Sequence, residues 1–183
     1  MNAATDAVRC LLTSIGENPD RDGLADTPRR VVAALCEMTD GYSLNPGDLL
    51  ATRFTQTYDE MIVLTGVAFT SLCEHHLLPF TGTASVGYIP DGHVVGISKL
   101  ARVVQCFAHR LQLQERLTTD IADAIQTHLQ PRGVAVEIRA THGCMVNRGV
   151  RQPTAELVTS AMLGYMRDRP EARAEFLALS QRR

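Results

Sequence analysis

The sequence carries no basic excess: 18 basic residues stand against 20 acidic ones, a net charge of −2. That argues against nucleic acid as the main partner. No apolar run approaches the ~18–20 residues that span a bilayer, so no membrane partner is expected. Residues Met1 to Asp6 lack a charged start followed by an apolar stretch, so no secretion signal is visible and a cytoplasmic protein is expected. The five cysteines (Cys10, Cys36, Cys73, Cys106, Cys144) are an odd number, which speaks against a disulfide framework and for reduced thiols. Lysine is almost absent. Lys99 is the only one, a bias that genome composition accounts for, although its position matters below.

What is present suits one globular unit. Apolar residues make up 45 % of 183 residues, enough for a sizeable core and too many for wholesale disorder. The spacing of Val8, Leu11, Leu12 and Ile15 predicts a helix over 3–15. Gly16 to Asp26 reads as a loop. Thr27-Pro28 reads as an N-cap with proline at the first helical position, opening a helix to about Thr39. Gly41 to Gly47 reads as a turn region. Strands are predicted at Met61–Leu64 and Val67–Phe69 around Gly66, at Thr83–Ile89 before the Pro90-Asp91-Gly92 turn, and at Val94–Ile97. Ser98 is the expected N-cap of a helix reaching Leu111. A second helix is expected over 116–129. Alternation of Val134, Val136, Ile138 and Ala140 with Glu137 and Arg139 predicts a half-buried strand. Residues 155–163 fit strand or helix, and Pro170 opens a last helix to about Leu179. The order reads as α+β with an antiparallel sheet: an N-terminal helical region over 1–57, then a region of strands and helices over 58–183.

The strongest local signal is Cys73-Glu74-His75-His76. Cys73 and His76 are close enough in sequence to bind one ion from a single turn, and His142-Gly143-Cys144 is the other candidate segment. Taking Cys73, His76 and Cys144 gives a Cys2His set with one position open, and leaves His75 and His142 beside the ion to move protons. Cys10, Cys36 and Cys106 are read as small core residues, and His93, His109 and His128 as surface residues. A second cluster is cationic. Ser98, Lys99 and Arg102 fall where a strand hands over to a helix, and Arg148 follows the His142 segment. Together they suit a polyphosphate, with a solvated basic face as the plainer alternative. Gln114 and Glu115 are read as lying just before the next helix, where a carboxylate beside a carboxamide can read the donor edge of a purine or pterin, or simply suit the helix start.

In this order the stretches Ser71–Phe80, Tyr88–Pro90, Gly96–Arg102, Gln112–Thr118, His142–Met145 and Arg148–Val150 closely resemble the GTP cyclohydrolase I family, and Asp26–Val31 resembles the family's N-terminal helix start. The resemblance covers nearly the whole chain from about residue 5. It implies the tunnelling fold with an N-terminal helical extension, and a homo-oligomer, usually a decamer of two stacked pentamers with active sites between subunits. It implies zinc held by Cys73, His76 and Cys144, and proton transfer by His75 and His142. Glu115 then anchors guanine with Gln114 beside it. Ser98, Lys99, Arg102 and Arg148 hold the triphosphate, with Arg30 as a further contact. Ala33 and Thr65 stand where many members carry basic residues.

The implied reaction takes GTP and water to 7,8-dihydroneopterin triphosphate and formate, the first step toward folate or biopterin. Its chemistry suits these residue types. Carbon C8 of guanine is a poor electrophile until N7 is protonated, a task for an imidazole of ordinary pKa ~6.5. Zinc makes a hydroxide-like nucleophile accessible near pH ~7. His142 is the candidate acid at N7 and His75 the proton shuttle, or the two are exchanged. The alternative is a zinc-binding paralogue of the same fold that acts on, or only binds, a related purine or pterin.

Overall fold

The computed structural model describes residues 3–181. The chain begins with helices α1 (Ala3–Ser14), α2 (Thr27–Glu37) and α3 (Pro46–Leu50), with a short 3-10 turn at Asp40–Ser43 between the last two. Strands β1 (Arg53–Thr55), β2 (Ile62–Cys73), β3 (Pro79–Ile89) and β4 (His93–Val95) follow. Then come α4 (Ile97–Ala108), β5 (Leu111–Gln112), α5 (Gln114–Leu129), β6 (Gly133–His142), α6 (Gly143–Val146), β7 (Leu157–Gly164), α7 (Tyr165–Asp168) and α8 (Pro170–Ser180).

The main sheet has the order β5-β2-β3-β6-β7. All its pairs are antiparallel except the short β2–β5 pair, which is parallel. This is the α+β arrangement expected from the element order. Helices α4 and α5 cover one face, where Val103, Phe107, Leu117, Ile121 and Ile125 pack against Phe69, Phe80, Val86, Val136 and Ile138. The period-2 pattern of β6 turns Val134, Val136 and Ile138 toward these helices. On the opposite face Phe176 of α8 buries itself with Ala135, Met162 and Met166. There Ser180 donates a hydrogen bond to the buried Glu137 at 2.8 Å.

Several expectations are corrected. Cys10 and Cys36 are exposed, because α1 buries no residue and α2 buries only Pro28; Cys106 is in the core as expected. Ser98 is not an N-cap. The helix starts two residues earlier than that cap would set it, at Ile97, so Gly96 takes the cap position and accepts from the Lys99 N–H at 2.8 Å. Thr27 likewise lies inside α2, with Asp26 at its cap position. Glu115 and Gln114 lie in the first turn of α5 rather than before it. The ambiguous segment 155–163 is strand β7, held by pairing with β6. The expected strand at Val94–Ile97 is shorter and leaves the main sheet to pair with β1, which has no clear sequence signature. The two runs around Gly66 form one strand with a register shift between Leu64 and Val67, where Gly66 takes φ +70°.

Gly82 makes the closest approach in the sheet: a Cβ there would lie 1.9 Å from the carbonyl oxygen of Arg139. Gly82→Ala should therefore force β3 and β6 apart, cost about 2 kcal/mol or more and lower the thermal midpoint by several degrees. An unchanged melting curve would contradict this packing.

Candidate functional site

The local fold gathers distant residues at one end of the sheet. Cys73 closes β2, and the turn to β3 is fixed by backbone bonds from Cys73 N–H to Leu78 C=O (2.9 Å) and from Leu77 N–H to Cys73 C=O (2.8 Å). Leu77 takes the left-handed conformation there, with φ 54°. This tight turn returns His76 toward Cys73, with Sγ and Nδ1 3.8 Å apart. Pairing of Phe80 with His142 then carries the end of β6 to the same place. Cys144 follows in α6. A Cβ on Gly143 would lie 2.7 Å from the Pro79 carbonyl, so glycine lets α6 sit this close.

The ligand atoms of Cys73, His76 and Cys144 all lie within 4.8 Å of one another. A tetrahedral site with metal–sulfur and metal–nitrogen bonds of ~2.3 and ~2.05 Å has a sulfur–nitrogen edge of about 3.6 Å. The observed 3.8 Å edge fits that geometry. The donors are soft and borderline, which suits a divalent ion of the zinc class. Burial and the neighbouring Cys73 push the Cys144 thiol above its ordinary pKa. A bound cation reverses that preference by favouring thiolate.

The parallel pair β2–β5 sets Gln112 beside Cys73 and so delivers the start of α5 to the site. Arg116 ties the turn down: it forms an ion pair with Glu74 and donates to Gln112 Oε1 at 2.9 Å. Its guanidinium holds the Glu74 carboxyl below the usual range. Glu115 is exposed next to the buried Gln114. The His142 ring lies flat on Phe80, with centroids 4.6 Å apart and planes at 1°. Burial pushes its pKa below the ordinary value, and the negative charge of Glu115 opposes that shift. His75 is exposed beside His76. Arg148 donates to His76 Nε2 at 2.8 Å. A shallow cavity of about 230 Å³ opens on His142, Met145, Ala155, Glu156 and Leu157. A larger one, about 550 Å³, lies around Glu137 and Arg139, away from the ligating residues.

The chain does not bring every candidate together. Tyr88 pairs with Ile62 at the far end of β2, and its hydroxyl accepts from the Val95 N–H at 3.1 Å. Helix α4 therefore starts at that end. With twelve residues in β2, the two ends are about 35 Å apart. Gln105, near the end of α4, donates to the carbonyl of Ala68 at 2.8 Å, still short of Cys73. Ser98, Lys99 and Arg102 thus lie toward one end of the sheet and the cysteines at the other. Arg30 is exposed on α2, paired with Asp26 at 3.1 Å.

A sequence model of GTP cyclohydrolase I matches residues 4–181. The chain belongs to the GTP cyclohydrolase I family. It is 53 % identical over 180 residues to GTP cyclohydrolase 1 of Chlorobaculum tepidum, spanning 98 % of this chain and 80 % of that one. Against GTP cyclohydrolase 1 of Gloeobacter violaceus the identity is 53 % over 175 residues, spanning 95 % and 82 %. Against that of Dehalococcoides mccartyi it is 49 % over 181 residues, spanning 98 % and 96 %.

Within this GTP cyclohydrolase I fold, several residues around the site were not singled out from sequence. Phe80 under His142, the Glu74–Arg116 pair, and Thr118 and Thr159 beside Gln114 all depend on long-range pairing. Only Phe80 carried a signal, as the apolar residue closing the Cys73–Pro79 turn. If the trio holds an ion, Cys144→Ser should lose metal and activity together. Elemental analysis finding full metal content in that variant would remove Cys144 from the ligand set.

Proposed function

We propose that the chain hydrolyses GTP to 7,8-dihydroneopterin triphosphate and formate, with opening of the guanine imidazole ring as the step the site serves. The observation that carries this reading is the meeting of a Cys2His trio with a half-buried histidine and an exposed glutamate at one sheet end. In this reading Cys73, His76 and Cys144 hold zinc. A bound zinc ion supplies Lewis acidity, making hydroxide available near neutral pH. The protein's own residues do the rest. Glu115 accepts hydrogen bonds from guanine N1–H and the exocyclic amine. Adenine offers no such donor pair and would leave the carboxylate unpaired, which gives discrimination. His142 gives a proton to N7, so C8 takes up water and the C8–N bond breaks; a second hydrolysis releases formate. His75, exposed beside the trio, carries protons to and from solvent.

Lys99, Arg102, Ser98 and Arg148 hold the triphosphate, and Arg30 adds a contact from α2. Arg148 has a further link to the ion. Its present contact needs His76 Nε2 unprotonated, whereas ligation through Nδ1 needs the hydrogen on Nε2. Loading the ion would therefore release this one contact and turn that N–H of Arg148 toward an anion.

The separation of Lys99 and Arg102 from Cys73 supports a site shared between copies of the chain. The outer edge of β7 is open, and β5 covers only the last two residues of β2, so both sheet sides offer unpaired strands. Leu157 and Val158 are 40 % and 45 % exposed along β7, and Leu11 and Ile15 are 60 % and 68 % exposed on α1. Edge-to-edge closure into a ring, and stacking of two rings through the N-terminal helices, would cover these surfaces as in a decamer of stacked pentamers. The helical region over 1–57 and the catalytic region over 58–183 then work as one unit. A cytoplasmic location belongs to the same reading, since thiolate ligands persist in a reducing compartment.

Purified protein incubated with GTP should release formate and give the fluorescent oxidised pterin; formate without pterin would indicate a variant that only opens the ring. Glu115→Ala should cut GTP turnover by about 100-fold or more while metal content stays full, and normal GTP kinetics would remove Glu115 from the site. Mixing unfolded and refolded Lys99→Ala with Cys144→Ser, each inactive alone, should restore activity through hybrid sites. Persistent inactivity in verified hybrids would contradict a shared site.

A further inference from the structure

We propose that Gln114 is a positioning residue whose carboxamide fixes His142 with its hydrogen on Nε2, so that Nδ1 is the nitrogen that exchanges a proton with the substrate. The consequence for catalysis rests on the function proposed above; the tautomer itself rests on geometry alone.

Gln114 is 1 % exposed, so its side chain is committed to protein partners. Its Nε2 donates toward the carbonyl oxygens of Ile138 (3.1 Å) and Leu157 (3.0 Å) and the hydroxyl of Thr159 (3.1 Å). The direction of each bond can be worked out. Thr118 donates its only hydroxyl hydrogen to the Gln114 carbonyl at 2.7 Å. The 2.6 Å contact between Thr118 and Thr159 must then use the hydrogen of Thr159. Thr159 Oγ1 is left as an acceptor, which matches an N–H from Gln114. Flipping the carboxamide would set its oxygen against two carbonyl oxygens and a hydroxyl whose hydrogen is already used. The amide orientation is thereby forced.

Gln114 Oε1 then faces His142 Nε2 at 2.8 Å. A carboxamide oxygen only accepts, so His142 Nε2 must carry hydrogen. A neutral imidazole has one N–H, which leaves the lone pair on Nδ1. An imidazolium has both, and the hydrogen gained or lost is the one on Nδ1. The stacked Phe80 ring blocks rotation out of this plane. Because Gln114 is neutral, it orients the ring without adding a negative charge that would trap the proton.

Two measurements decide the matter. A neutron structure of the full-length protein should show deuterium on His142 Nε2; a bare Nε2 with deuterium on Nδ1 alone would overturn the proposal. That result stands whether or not GTP is the substrate. In kinetics, Gln114→Met should lower kcat for GTP by about 100-fold, with KM within threefold and metal content unchanged. Unchanged kcat, or a raised KM with kcat retained, would overturn the positioning role. If Gln114→Met fails to fold, the neutron measurement decides alone. Absence of GTP turnover in the unsubstituted protein would instead overturn the proposed function and leave the tautomer to the neutron result.

Discussion

The structure depends on one convergence: two sulfurs and an imidazole from separate parts of the chain held within 4.8 Å of one another. Two features impose it. The five-residue turn after β2 closes back on Cys73, whose N–H donates to the Leu78 carbonyl, and β6 is in register with β3 so that His142 lies opposite Phe80. A one-residue slip of that register would send the β6 side chains to the opposite face. Gln114 and Glu115 arrive through a different constraint, the two-residue parallel pair that anchors β5 to the end of β2. Three strand ends therefore set the chemistry, and the helical layer behind them keeps those ends rigid.

The same sheet also separates functions. Its length keeps the α4 cations away from Cys73, His76 and Cys144, the separation on which the proposed sharing of a site between copies rests. Open strand edges and exposed apolar side chains on α1 and β7 point the same way. In this light, assembly and catalysis are one problem. The polar network behind His142 belongs within one chain, while in the proposed reading the recognition of phosphate crosses between chains.

Much of this was legible in the sequence because the relevant signals are local. Cys73 and His76 share a turn, Cys144 follows a strand with clean alternation, and Pro170 opens α8 where expected. The errors have physical causes. Cys10 and Cys36 read as core because isolated cysteines usually are, but α1 and α2 pack mainly on each other and leave that surface uncovered. Residues 155–163 carried no decisive period, and only pairing with β6 makes them a strand. The network around Gln114 was not legible either, because adjacency in sequence hides direction. On a helix, neighbouring side chains point about 100° apart, so one faces the core and the other faces solvent. Thr118 and Thr159 complete its network across 41 residues, a relation no local pattern reveals.

The central claim concerns the first coordination sphere, and X-ray absorption at the zinc edge of the metal-loaded protein tests it most directly. The account predicts two sulfur neighbours, one imidazole nitrogen and one further light donor from solvent. A spectrum with no sulfur shell, or with four protein ligands closing the sphere, would contradict it.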